Sequence, residues 1–265
     1  MSLRPPPYDG PALHRFAQEA VGAGVEWLAG EGAGRAWSHR RFKPSGEEVT
    51  AADIEVERRV TRILTERTPE IPVVGEESAG AGPVPGTCWL LDPIDGTMNF
   101  SRGAPGYAVS LACVVDGEPV VGVVDAPALG RCWSTGAEGA VAAGEAGLPG
   151  SRTLSGAVVG LTGTGSGRSR PARLIGLLYD RAHRIRLQGA MSLDLVGVAE
   201  GWLDACVCLD PSPWDVAAGV ALVRERGGAV LGAGGAAFTL RSPVLAAGAE
   251  PVARELIALW ESLDS

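Results

Sequence analysis

Two carboxylates, Asp92 and Asp95, lie close together in Trp89-Leu90-Leu91-Asp92-Pro93-Ile94-Asp95-Gly96-Thr97. The apolar residues ahead of them read as a buried strand, so the pair is delivered to a strand end. Gly96-Thr97 can then open a helix, which would present backbone N–H groups to an anion. Carboxylates this close repel one another unless they are protonated or hold a cation. Hard oxygen ligands of this kind suit Mg²⁺, which commonly sits between one or two carboxylates and phosphate oxygens. Taken alone, the same residues also read as a turn with an N-cap. Two further acidic sites share the context: Glu76-Glu77 follow an apolar run at 71–74, and Asp215 starts a helix after another. Each has a plain reading by itself, a solvated loop for the first and a helix start for the second. Three acid clusters at strand ends together favour a metal site.

The elements that must position these groups are legible in outline. Leu13, Phe16, Ala17, Ala20, Val21, Gly24, Val25 and Leu28 recur at helical spacing, so the first forty residues are predicted to be helical. A second helix is predicted over 51–68 with Thr50 as its N-cap, and strands over 71–74 and 88–91, the latter ending at Asp92. Apolar runs at 107–115 and 119–124 flank Asp116-Gly117, a strong hairpin signal. The Gly- and Ala-rich stretch 137–150 places a boundary, giving an N-terminal α+β half (1–145) with most of the acids and a C-terminal α/β half (146–265). In that second half, strands are predicted at 158–161 and 203–209, helices at 171–181, 192–201 and 214–226, and a loop at 163–167. Gly227-Gly228 closes the last helix.

Composition narrows the partners. Among 265 residues, 46% are hydrophobic and 20% charged, and the net charge is −8, which argues against nucleic acid or an anionic membrane as the main partner. No uncharged stretch approaches the roughly 18 residues that a membrane span requires. No secretion signal follows Met1, and five cysteines, an odd number, suit reduced thiols in a cytoplasmic protein. Cys206-Val207-Cys208 has no second Cys/His pair to complete a zinc site, and His14, His39 and His183 show no mutual spacing.

Gly75-Glu76-Glu77-Ser78, Asp92-Pro93-Ile94-Asp95-Gly96-Thr97 and Trp214-Asp215-Val216-Ala217-Ala218-Gly219 resemble, in order, the signature motifs of the inositol monophosphatase family. Thr50-Ala51-Ala52-Asp53 resembles the family's earlier T-x-x-D element, with Lys43 at its preceding basic position. Gly165-Ser166-Gly167-Arg168, Gly189-Ala190 and 224–228 also fit, and the resemblance runs from about Phe16 to about Leu245. It implies a layered α-β-α-β-α sandwich with the site between the halves, acting as a homodimer. Two or three Mg²⁺ ions would be held by Glu76, Asp92, Asp95, Asp215 and the main-chain carbonyl of Ile94. Glu76 and Thr97 would position the attacking water, with Asp53 polarising Thr97 or that water. Phosphate would meet the N–H groups of Gly96 and Thr97, and Asp95, Ser166, Gly189 and Ala190 would complete the substrate side. The implied activity is a Mg²⁺-dependent phosphomonoesterase acting on a small-molecule phosphate ester by metal-activated water.

One departure concerns specificity. Where animal and many bacterial members carry a Glu seven positions before the second-half aspartate, this chain has Cys208. A thiol is a poor partner for hydroxyls, so inositol phosphate is in doubt as the substrate and Asp210 is a candidate replacement. Histidinol phosphate, a nucleotide 2′- or 3′-phosphate, fructose bisphosphate and a specialised metabolite are the other candidates. A glycosidase also wants paired carboxylates but gives no reason for the Gly-Thr helix start. A haloacid dehalogenase-type phosphatase needs Asp-x-Asp rather than Asp-x-x-Asp, and a silent binding protein need not keep the whole acidic set.

Overall fold

The computed structural model describes residues 8–32, 40–42, 48–79, 82–136, 148, 150–163 and 169–264. The chain divides into two compact units, 1–137 and 138–265. The expected junction at 145–146 lies outside the described residues.

In the first unit, helix α1 (Gly10–Trp27) starts where Asp9 Oδ1 accepts the Ala12 N–H at 2.8 Å. The helix predicted over the first forty residues ends at Trp27 and gives way to a wider turn at Leu28–Gly32. Glycines 30 and 32 fall there, where their backbone entropy disfavours a helix interior. Short strands β1 (Arg40–Phe42) and β2 (Glu48–Thr50) pair antiparallel and lead into α2 (Ala51–Arg67). Val56, Val60 and Leu64 of α2 pack with Leu13, Ala17 and Val21 of α1. Strands β3 (Val73–Gly75), β4 (Cys88–Asp95), β5 (Ala108–Val115), β6 (Glu118–Ala126) and β7 (Arg131–Ser134) form one sheet in that order. A single turn, α3 (Thr97–Phe100), lies between β4 and β5. The two long helices cover the sheet face that carries Trp89, Leu91, Leu111 and Val123. The Trp89 indole donates to Thr68 Oγ1 at 2.9 Å, which ties the end of α2 to β4.

The second unit is a five-stranded sheet ordered β11-β12-β10-β8-β9. Its members are β8 (Val158–Thr162), β9 (Arg184–Arg186), β10 (Ala205–Leu209), β11 (Ala229–Leu231) and β12 (Val244–Gly248). The β8–β10 and β8–β9 pairs are parallel, the β10–β12 and β11–β12 pairs antiparallel. Side chains alternate between faces along a strand. Ala205, Val207 and Leu209 of β10 pack with α4 (Ser169–Arg181) and α7 (Glu250–Glu261). Helices α5 (Met191–Glu200) and α6 (Pro213–Glu225) pack together, with α5 against β8 and β10. The sequence carries no strand signal at β1, β2, β7, β9, β11 or β12 and no helix was expected at α7. All but α7 are short sheet strands whose few residues carry little period of their own.

Among the described residues no helix is long and apolar enough to cross a membrane. Cys88, Cys113, Cys206 and Cys208 are buried, and Cys132 is exposed.

The β5–β6 hairpin turns on Asp116 (φ 53°) and Gly117 (φ 86°), the paired left-handed conformation of a two-residue hairpin loop. Gly117→Ala should therefore lower stability by about 1 kcal/mol. The expected readout is a reduced urea midpoint with an unchanged slope.

Candidate active site

Strand β4 does not stop at Asp92, as the sequence suggested, but continues through Asp95. It can do so because it bulges: Asp92 pairs with Ser110 and Asp95 with Ala108, so β4 takes one residue more than β5. Pro93 has no N–H to give to the ladder. The Ile94 N–H donates instead to Asp92 Oδ1 at 2.9 Å. Gly96, at φ 84° and ψ 35°, then reverses the chain into α3. The outcome is a pair of buried carboxylates, Asp92 at 3% and Asp95 at 7% exposure, at the end of a central strand.

Glu76 joins them through the backbone. Strand β3 runs parallel to β4 with Gly75 opposite Leu91, and the Glu76 N–H donates to Leu91 O at 3.0 Å. Glu76 therefore sits beside Asp92 in the ladder direction.

Helix α2 supplies the next layer. Thr50 and Asp53 form its capping box: Asp53 Oδ2 accepts the Thr50 N–H at 2.8 Å and the Thr50 hydroxyl at 2.6 Å. Its other oxygen lies 3.3 Å from Thr97 Oγ1, and the same hydroxyl lies 2.9 Å from Ile94 O. Asp53 is fully buried, and desolvation raises its carboxyl to about 7. The two Thr50 hydrogen bonds oppose that rise, and the negative charges of Glu77 and Glu76 add to it. One turn further along α2, Glu57 Oε2 accepts the Glu77 N–H at 2.9 Å. Sequence reading passed over Glu57; its signal is the spacing of four from Asp53, which puts both on one helix face.

The structure thus links Asp53, Thr97, Ile94 and Asp92 by direct hydrogen bonds and sets Glu76 beside them. Among the described residues it gathers no group of three or more His, Cys, Asp or Glu side chains close enough to hold a metal ion. The donors along the β3 and β4 ends are nevertheless all hard oxygens, and the like-charge pressure on Asp53 from Glu76 and Glu77 is what a cation would relieve. On donor chemistry, the residues fit a divalent metal.

In the second unit, Asp215 occupies the first turn of α6, where its Oδ2 accepts the Ser212 N–H at 2.9 Å. Gly189 has φ 79° and precedes Ala190, the buried N-cap residue of α5. Cys208 is wholly buried within β10, between Thr162 and Leu245. Asp210 is exposed just past β10 at φ 46°, with its N–H on Pro243 O at 2.9 Å. Lys43 and Ser166 lie outside the described residues.

A bulged strand end rich in buried carboxylates, running straight into a Gly-Thr helix start within an α/β fold, suits the handling of a phosphate ester. The chain belongs to the inositol monophosphatase family, whose profile matches residues 15–263. That match reaches past Leu245 to include α7, further than the sequence motifs suggested. An inositol-1-monophosphatase, ImpA, of Mycolicibacterium smegmatis is 36% identical over 249 residues, covering 91% of this chain and 88% of that protein. A histidinol-phosphatase of Mycobacterium tuberculosis is 40% identical over 196 residues, covering 70% and 74%. The solved structure of Mycobacterium tuberculosis SuhB superposes with a TM-score of 0.77 at 29% identity, over 97% of this chain and 98% of that one. The fold is accordingly the α/β sandwich expected from the sequence, and the chain is a phosphoric monoester hydrolase of a family that is generally metal-dependent.

The Asp53 shift has a stability consequence. Its folded value, about 7, exceeds the ordinary 3.8, so between these pH values the folded state binds more protons than the unfolded one. Stability of the metal-free protein should fall as pH rises through that window and level off above it. An Asn at 53 can keep its amide oxygen toward Thr50 and donate from its NH₂ to Thr97 Oγ1. Asp53→Asn should therefore flatten the decline, as read by urea unfolding in EDTA from pH 4 to 8.

Proposed function

We propose that this chain hydrolyses a small phosphorylated metabolite with Mg²⁺ held by Glu76, Asp92, Asp95 and the carbonyl of Ile94, and with Asp215 as a further ligand. The observation that carries the reading is the Thr97 hydroxyl, set between Ile94 O and a buried Asp53 carboxyl beside the acidic strand ends. Two or three Mg²⁺ ions bound there would supply the charge that offsets the carboxylates, draws in phosphate and makes a coordinated water more acidic.

The chain's own residues do the rest. Thr97 Oγ1 has one proton and two lone pairs. With that proton directed at Ile94 O or Asp53 Oδ1, its lone pairs accept a hydrogen from the attacking water and aim it at phosphorus. Glu76 accepts the proton that the water loses as its oxygen bonds to phosphorus, the ester P–O bond breaks, the leaving oxygen takes a proton from solvent water, and the N–H groups of Gly96 and Thr97 donate to the phosphate oxygens. In the metal-free protein burial raises the Asp53 carboxyl to about 7, and a bound cation would lower it again, leaving a carboxylate that accepts from Thr97. No covalent enzyme intermediate is required. The proposal extends to a homodimer in the cytoplasm working on small esters rather than nucleic acid, which the net charge of −8 supports.

The test is metal dependence joined to one isosteric change. Turnover of p-nitrophenyl phosphate should vanish in EDTA and return with Mg²⁺, and Ca²⁺ should inhibit because it tolerates looser geometry. Asp95→Asn should cost at least about a hundredfold in kcat while the fold persists. Activity that survives EDTA, or a near-normal Asp95→Asn enzyme, would sink the proposal.

On the substrate side, we propose that an amino-alcohol, nucleotide or sugar phosphate is preferred to inositol 1-phosphate. The burial of Cys208 supports this, since that side chain meets no ligand hydroxyl, whereas Asp210 offers an exposed carboxylate two residues on. A site lacking a buried hydroxyl acceptor discriminates weakly for polyols. Comparing kcat/KM over a panel of phosphate esters decides it: a clear preference for inositol 1-phosphate refutes the idea. Asp210→Ala should reorder the panel more than it slows p-nitrophenyl phosphate.

A further inference from the structure

Helix α2 buries two carboxylates on one face, Asp53 and, one turn later, Glu57 at 6% exposure. Burying an acid is costly unless it is well hydrogen-bonded, and the capping box accounts for Asp53 alone. Glu57 is directed at the turn that carries Glu76: its Oε2 accepts the Glu77 N–H at 2.9 Å. The same carboxylate fills the space where Gly75 lacks a side chain, so that a Cβ on Gly75 would run into it. Gly75 lies in a strand and has no positive φ. Its missing side chain is therefore explained by room for Glu57 and not by backbone conformation.

We propose that Glu57 is a positioning residue for Glu76. It clamps the 75–77 turn from below, with the glycine on one side and the Glu77 amide on the other. The turn then keeps Glu76 alongside Asp92 when the Glu76 N–H bonds to Leu91 O. Two buried acids a turn apart on one helix thus hold the two motifs: Asp53 steadies the Thr97 end of β4, and Glu57 steadies the end of β3. The proposal rests on the reading of Glu76 as a metal ligand.

Melting curves of the full chain across a Mg²⁺ titration, with no substrate present, test it. Wild type should melt higher as Mg²⁺ is added, because an ion that binds only the folded state stabilises it. Glu57→Ala should need roughly tenfold more Mg²⁺ for half of that shift, the usual scale for losing a group that orients a ligand. Glu57→Gln keeps an acceptor for the Glu77 N–H and should stay close to wild type. Gly75→Ala should behave like Glu57→Ala by evicting the carboxylate, and adding it to Glu57→Ala should change little further. Should Glu57→Ala prove unable to fold, Gly75→Ala carries the same comparison. Variants that melt lower without metal yet keep the wild-type Mg²⁺ midpoint would overturn the proposal, leaving Glu57 a purely structural residue. A wild type whose melting ignores Mg²⁺ would overturn the metal reading itself, and this proposal with it.

Discussion

Burying several negative charges at one end of a sheet is the constraint on which the first unit is built. Each of Asp53, Asp92 and Asp95 loses nearly all contact with water, and each repels its neighbours. The local chain has answered with backbone donors. Asp92 takes the Ile94 N–H, Asp53 takes the Thr50 N–H, and Glu57 takes the Glu77 N–H. Hydrogen bonds of this kind fix where a carboxylate points without cancelling its charge, which leaves the charge available to a cation. The bulge in β4 and the left-handed Gly96 follow from the same need. A regular strand would have sent Asp92 and Asp95 to opposite faces of the sheet.

Helix capping involves a candidate site residue twice. Thr50 with Asp53 and Ser212 with Asp215 both follow the S/T-x-x-D spacing, and in both the acid accepts the N–H of the capping residue. One carboxylate oxygen is committed to the helix start. In Asp53 the second oxygen faces the Thr97 hydroxyl. The plain reading of these residues as caps is correct, and at Asp53 the cap also fixes the carboxylate that faces Thr97. This explains why a helix-start signature alone was poor evidence for or against function.

Features set by local chain were readable in advance. The apolar run 88–91 carrying acids at its end, the Asp116-Gly117 turn and the capped α2 were all visible, since each depends on residues a few positions apart. Features set by pairing were not. That β4 extends through a proline depends on Ser110 and Ala108 of a neighbouring strand. Glu57 looks like any helix-surface acid until Gly75 and Glu77 are placed against it. The strands β9, β11 and β12 have three to five residues and gain their identity from the strands beside them. Cys208 was legible as a missing acid, but only its register with Thr162 and Leu245 shows that its side chain is sealed inside the sheet.

The second unit repeats the logic of the first at a different place. Asp194 on α5 is fully buried, and desolvation raises its carboxyl to about 6. It accepts from the Thr162 hydroxyl at 2.5 Å and from Gln188 Nε2 at 2.7 Å, which oppose that rise. A Cβ on Gly160 would meet Leu203 first and Asp194 next. In each unit, then, a buried acid on a helix meets a threonine hydroxyl near a strand end. The two acids anchor different things. Asp53 steadies the strand end that carries the acidic motif, while Asp194 ties the end of β8 to the segment before α5, where Gly189 and Ala190 lie. A rigid acid-bearing frame and a separately anchored loop region can diverge independently.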